Sequence, residues 1–284
     1  MIDLAIIGAL ALDRPIRLDG PLMPGARMIG RSLDGALAGR LGGGGANAAT
    51  ALARAGRPAA LLAYIADDAD GARLLDLAKA AGLDTRFVVR RPGASRTTLI
   101  LLAPDGERAI LTLDPEPVDL PPLPAPAPTK GLLVRAAYPE AEAWARACDG
   151  PVIVHWPCGA YAGPCDVLVG SWDDAAPDMR AEPLGVGRRR FGPRLRWVVL
   201  TQGADGARAF GDGETLSVIP PAVKVADATG AGDVFAAGLL DALSARAEMA
   251  QALAHACLWG ATAASLEGSA PVSGAFRAFR PASP

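Results

Sequence analysis

The sequence predicts an α/β fold: a three-layer α/β/α sandwich whose central sheet is mostly parallel, with a small β appendage. Two observations lead there. Apolar runs of four to eight residues alternate with longer helical stretches, and most of the runs lack polar alternation, as strands covered on both faces do. A strand–helix–strand order repeated along the chain then gives a parallel sheet with helices on either side. The appendage follows from segments 14–41 and 96–113, which interrupt that rhythm with turn formers and hairpin chemistry.

Taken in order, LAIIG (4–8) reads as a buried first strand, and 14–41 shows no helical pattern. ANAATALARAG (46–56) is a helix ending in Gly56, and AALLAYIA (59–66) is a strand. DGARLLDLAKAAG (70–82) is a second helix, ending in Gly82; both glycines suit a left-handed C-terminal position. RTTLILLAPDGERAILTL (96–113) is a hairpin about Pro104-Asp105-Gly106, and DPEPVDLPPLPAPAP (114–128) is an extended surface connection. GLLVRAA (131–137), PVIVHW (151–156), DVLVG (166–170) and WVVLT (197–201) complete the strands, with PEAEAWARACDG (139–150) as a helix between the first two. GRRRFGPRLR (187–196) reads as a solvated connection, and Val234 to Leu243 as a late helix. One domain spanning 1–284 accounts for all of this.

Composition narrows the function. The net charge of −2 leaves no electrostatic footprint for nucleic acid. No apolar run approaches the roughly 18 residues of a membrane span, and MIDLAIIGAL lacks a basic leader, so a cytoplasmic location is expected. Cys148, Cys158, Cys165 and Cys257 form no CxxC pair, and His155 and His255 are the only histidines. Reduced thiols are expected, with neither a zinc site nor a Cys–His or Ser–His mechanism.

The segment DATGAGD (227–233) stands where the late helix begins. Gly230 and Gly232 leave no side chains to block a ligand, and the amides around Ala231, Gly232 and Asp233 point out of a helix N-terminus. An Asp in such a nest would repel a bound anion. It makes sense where a hydroxyl sits beside the anion: Asp233 accepts the hydroxyl proton while the amides hold a migrating phosphoryl group. The bland alternative is a Gly-rich turn with Asp233 as a first-turn capping acid.

In RLGGGGANAATALARAG (40–56), four glycines precede a helix, and Asn47 in its first turn both donates and accepts, which suits a polyhydroxylated ligand. A flexible turn with a capping Asn is the alternative. VVLTQGADG (198–206) ends a strand in Thr201, Gly203 and Gly206, at the strand end where open α/β sheets bind ligands. Asp13 follows the first strand.

An Asp after strand one, a GG..AN segment, a T.G..G strand end and D.TGAGD, in that order, resemble the ribokinase-type (PfkB) family of carbohydrate kinases over nearly the whole chain. The resemblance implies a β lid that often mediates dimers, and transfer of the terminal phosphoryl group of ATP, with Mg²⁺, onto an alcohol. It implies Asp233 as catalytic base and Gly230, Ala231 and Gly232 as anion hole. Asp13, Gly42, Gly43 and Asn47 would hold substrate hydroxyls. Thr201, Gly203 and Gly206 would lie along the nucleotide, with the helix from His255 to Ala264 and Gly268 bordering adenine. Ser171 and Asp174 would handle phosphate and Mg²⁺, and Asp227 a monovalent cation such as K⁺.

This chain departs from the family's pattern in places. Ser171-Trp172-Asp173-Asp174 stands where Asn-x-x-Glu is common, Gly44 replaces a Lys, Ala11 an Asn, and Arg135-Ala136-Ala137 lack the acid that ribose kinases use. Ribose itself is therefore not the expected acceptor. Arg96 and Arg135 are read as surface or structural arginines, with an acidic sugar as the alternative. A sugar or related polyol is the expected substrate. A nucleoside kinase with Phe87 or Tyr64 beside the base is the alternative within the class, and a non-catalytic nucleotide- or sugar-binding homologue the alternative outside it. A dehydrogenase is disfavoured because the first strand leads into ALALDRPIRLD, without GxGxxG.

Overall fold

In the computed structural model, which describes residues 2–33, 35, 38–105, 108–113, 118–268 and 275–280, the first strand is an interior strand of a nine-stranded sheet, third from one edge. In chain order the first half runs β1 (Leu4–Ile7), β2 (Ala11–Leu18), β3 (Gly30–Ser32), β4 (Arg40–Gly42), α1 (Gly44–Arg54), β5 (Ala59–Ala66), α2 (Ala69–Ala80), β6 (Val88–Arg91), β7 (Thr97–Leu102), β8 (Arg108–Leu113) and β9 (Gly131–Val134). The rest is α3 (Ala141–Ala147), β10 (Val152–His155), β11 (Val167–Ser171), α4 (Pro177–Ala181), α5 (Pro183–Phe191), β12 (Trp197–Thr201), β13 (Ala207–Phe210), β14 (Thr215–Val218), α6 (Ala231–Ser244) and α7 (Met249–Ala264).

The large sheet has the order β14-β13-β12-β11-β10-β9-β1-β5-β6. It is parallel from β12 to β6, and β13 and β14 add an antiparallel edge. Burial explains the unbroken apolar runs. Leu4 and Ile6 of β1 enter a core shared with α1, α2, α6 and α7, while Ala5 and Ile7 enter a second core with α3 and α5 on the opposite face. Each strand is sandwiched, so both of its side-chain rows are apolar.

The interrupting segments build a second sheet of five strands, β3-β2-β7-β8 with β4 on β2. β7 and β8 form the expected hairpin; Gly106 at its turn lies outside the described residues. The proline-rich connection has no regular structure over 118–128 and is pinned down, with Leu123 buried and Trp144 Nε1 donating to Pro124 O at 3.1 Å.

One expectation changes. The basic cluster is not a solvated connection: Arg188, Arg189 and Arg190 form the last turn of α5, where cations suit the negative end of the helix dipole. Arg188 grips Asp212 through two bonds of 2.6 and 2.7 Å, and the Arg190 guanidinium lies 4.4 Å over the Trp156 ring.

Asp241 on α6 is fully buried. Its carboxylate faces Arg57 Nη1 at 2.9 Å and His255 Nε2 at 3.2 Å, and accepts the Phe279 N–H at 2.6 Å. It thereby ties α7, segment 275–280 and the connection from α1 to β5 to α6. Asp241→Ala strands the buried face of that cluster and is expected to lower unfolding free energy by on the order of 3–5 kcal/mol, read from urea denaturation midpoints.

Candidate active site

Parallel strands end on one edge, so the residues just past β1, β9, β10, β11 and β12 are brought together whatever their separation in sequence. That edge carries Arg135, just past β9, and His155, Ser171 and Thr201, the last residues of β10, β11 and β12. The N-terminus of α1 meets the same edge beside β1: Gly45 N–H donates to Ala9 O at 3.1 Å. The N-terminus of α6 meets it as well, through Asp233.

Asp233 lies in the first turn of α6, whose N-cap, Gly230, has φ 78°. The carboxylate is 8% exposed and closely attended. Asn47 Nδ2 donates to Oδ2 at 3.0 Å, and Arg135 Nε donates to Oδ1 at 2.9 Å. His155 Nδ1 stands 3.4 Å from Oδ1, too poorly placed for a hydrogen bond and close enough to feel the charge. Burial by itself would raise the Asp233 pKa, but His155 and Arg135 outweigh it and hold the carboxyl well below the usual range. Burial keeps His155 below its ordinary value, against the pull of Asp233.

The glycine run 42–45 is shaped by this site. A Cβ on Gly42 would fall 2.1 Å from the Asp13 carboxyl carbon, and one on Gly44 would fall 2.8 Å from Asp233 Oδ1 and 2.9 Å from Arg135 Cγ. A side chain at position 44 would therefore compete with Arg135 for its place. Asp13 is buried against Gly42, and Gly43, with φ 91°, caps α1. Asn47 is buried with Oδ1 lacking a hydrogen-bond partner, a buried acceptor that a ligand hydroxyl would satisfy.

Next to this cluster opens a cavity of about 410 Å³, lined by Thr201, Gly203, Gly206, Gly232, Phe235 and Ala264 among others. Ile219 and Val225 on its wall are 79% and 61% exposed, apolar surface that a flat ligand would cover. Among the described residues the Gly232 and Asp233 N–H groups take no main-chain partner, whereas Ala231 N–H is already donated to Ala228 O at 3.3 Å. The helix offers its free donors from 232 and 233. Gly268 stands beside Arg40 and does not line the cavity.

Ser171 and Asp174 border a separate cavity of about 350 Å³. Ser171 Oγ accepts the Asp173 N–H at 3.2 Å, and Asp174 is exposed. Among the described residues no group of three acids, histidines or cysteines could hold a metal. Asp174 is a single carboxylate, and Mg²⁺ takes one or two with phosphate and water completing its shell. Asp227 is different. Oδ2 accepts from Arg40 Nη2 at 3.0 Å and Oδ1 from Thr229 N–H at 2.9 Å, so a guanidinium already supplies positive charge where a monovalent cation was expected.

Two members of the cluster were not among the expected site residues. Arg135 is not a surface arginine: at 28% side-chain exposure it grips the candidate base. His155 faces the same carboxylate. Its signal was available, since VIVHW ends a parallel strand on the ligand-binding edge. Arg96 is exposed at the start of β7.

Fold and site together define a kinase of the ribokinase-like type. The chain belongs to the pfkB family of carbohydrate kinases, whose model matches residues 33–126 and 190–273. It is 29% identical over 258 residues to the ATP-dependent ribose-1-phosphate kinase of Halopiger xanaduensis, covering 84% of this chain and 86% of that protein. Ribokinase from Cryptococcus neoformans var. grubii, solved in complex with ADP, superposes with a TM-score of 0.75 at 21% identity, covering 95% of this chain and 96% of that one. The Burkholderia thailandensis nucleoside kinase, solved in complex with inosine, does so with a TM-score of 0.70 at 19% identity, covering 94% and 92%. At these identities the two structures establish the shared fold.

Both depressed groups make stability fall on acidification, because the unfolded chain binds the proton first. His155 contributes above its ordinary value of 6.5 and loses its share as pH drops beneath it. Asp233 does the same below 3.8. Urea midpoints measured from pH 8 to pH 4 should decline below about 6.5, and His155→Leu should flatten that upper decline.

Proposed function

We propose that this enzyme transfers the γ-phosphoryl group of ATP to a hydroxyl of a sugar or related polyol, with Asp233 as the base. The observation that carries the reading is the position of Asp233. It is a buried, ionised carboxylate in the first turn of a 14-residue helix, with unpaired amides at 232 and 233 and an apolar cavity alongside. The cavity suits adenine and ribose, with Thr201 and Gly203 toward the phosphates. The free amides and the positive end of the α6 dipole receive the migrating group.

In the reaction the acceptor oxygen forms a bond to the γ-phosphorus, and the bond from that phosphorus to the β,γ-bridging oxygen breaks. ADP leaves with the electron pair, and Asp233 takes the hydroxyl proton. Phosphoryl transfer through a loose transition state asks little of the base, so a carboxylate of depressed pKa is adequate to orient and finally deprotonate the alcohol. Asn47 Oδ1 and Asp13 hold neighbouring hydroxyls. Asp174 would be the carboxylate to hold Mg²⁺, which when bound would supply charge neutralisation.

Among acceptors, a phosphorylated sugar suits this chain best. The relative from Halopiger is a ribose-1-phosphate kinase, and Arg135 faces the acceptor side of Asp233 where a ribose kinase would carry an acid. A nucleoside is less suited: Tyr64 packs edge-on against Tyr138 and Phe87 against Trp144, in the core on the sheet face opposite α1. The second sheet serves as a lid over the acceptor and as the dimer contact. β8 is its edge strand, with Ile110, Leu111 and Leu113 54%, 49% and 49% exposed.

Asp233→Asn is expected to lower kcat by about a thousandfold while an ATP analogue still binds in isothermal titration. Undiminished turnover would remove Asp233 from its role. Ile110→Lys is expected to shift the sedimentation profile from dimer to monomer, and an unchanged profile would exclude the β8 contact.

A further inference from the structure

The arrangement around Asp233 is self-satisfied in a way that obstructs the reaction. Arg135 follows the last residue of β9, and its backbone N–H is donated to Ile7 O at 2.7 Å, so its Cα is held by the sheet. From there the side chain reaches Asp233 Oδ1 through Nε at 2.9 Å and Pro157 O through Nη1 at 3.2 Å. Oδ2 is taken by Asn47. A hydroxyl that must give its proton to Asp233 thus meets a carboxylate already neutralised and flanked on both oxygens. A neutral alcohol offers a guanidinium nothing comparable to a carboxylate, and cannot draw it away.

A phosphate dianion can. It matches the planar fork of arginine through two parallel charge-assisted hydrogen bonds, which a carboxylate bound only at Nε does not exploit. The guanidinium is within reach of a ligand: the Arg135 side chain is 28% exposed, and Gly44 sets no side chain against its Cγ and Nε.

We propose that Arg135 is a substrate-operated latch on the base. In the empty site it pairs with Asp233; an anionic substituent of the phosphate class on the acceptor takes the guanidinium and frees Oδ1 to orient the reacting hydroxyl. This rests on the kinase reading above and adds to it that the acceptor's charge acts on kcat, not only on KM. The proton and phosphoryl transfers are those already described, and the latch itself makes and breaks no covalent bond.

The test compares steady-state kinetics on a panel of pentose and hexose phosphates, each beside its neutral parent sugar, for the wild type and Arg135→Met, with Arg135→Lys as a second variant that keeps the charge. The wild type should turn over an anionic acceptor with a kcat about a hundredfold above its parent sugar. Free inorganic phosphate should raise wild-type kcat on the neutral sugar by about tenfold, as the detached half of the substrate. Arg135→Met should lose about a hundredfold in kcat/KM on the phosphorylated acceptor, exceed the wild type on the neutral sugar, and ignore added phosphate. Arg135→Lys, a point charge without the fork, should respond to phosphate more weakly than the wild type.

Equal kcat on charged and neutral acceptors, no activation by phosphate, or an equal loss on both acceptors in Arg135→Met would overturn the latch while leaving the kinase in place. Absence of phosphorylated product from every pair would overturn the kinase reading, and the latch with it.

Discussion

A charged carboxylate buried at the edge of the sheet is the constraint on which this molecule turns. Burying Asp233 costs free energy unless partners return it, and the chain surrounds it with an amide, a guanidinium, an imidazole and a helix N-terminus. Those partners come from α1, from the end of β9 and from the end of β10, at separations of up to 186 residues. One side chain therefore binds the two helices nearest the reaction to the strands they cover. It also holds a negative charge beside the free amides at the start of α6.

Absence of side chains matters as much as their presence. Gly42 makes room for the Asp13 carboxyl and Gly44 makes room for Arg135 against Asp233. A lysine at 44 and an arginine at 135 would contest one volume and repel each other, so the two departures from the family's pattern are read as one change. The positive charge stands at the strand end, against Asp233, and not at the helix start. The Arg40–Asp227 pair makes a similar substitution on the nucleotide side, with a guanidinium where a cation was expected.

The opposite end of α6 shows the same physics used for stability. Asp241 is buried more completely than Asp233, and its partners Arg57, His255 and the Phe279 amide hold the connection from α1 to β5, α7 and the 275–280 segment in register. Neither Asp241 nor these partners line the two cavities described above. A single helix thus carries one buried acid in its first turn, beside a cavity, and another further along, tied to the packing around it.

Much of this was legible in the residues themselves. The apolar runs at 59–66 and 197–201 coincide with β5 and β12, the hairpin of 96–113 is β7 and β8, and Gly56 and Gly82 have the positive φ expected after their helices. Each is a local matter, decided by side-chain periodicity and by backbone conformations that few residues adopt. DATGAGD likewise announced a helix start with an acid in its first turn. What tertiary structure alone decided is the company Asp233 keeps. Arg135 is 98 residues away and looked like a surface arginine because nothing in its neighbourhood shows that β9 ends one residue earlier, beside β1. Parallel strands bring distant ends to one edge, and which side chain turns inward there depends on where each strand stops, a property of the assembled sheet and of no short stretch within it.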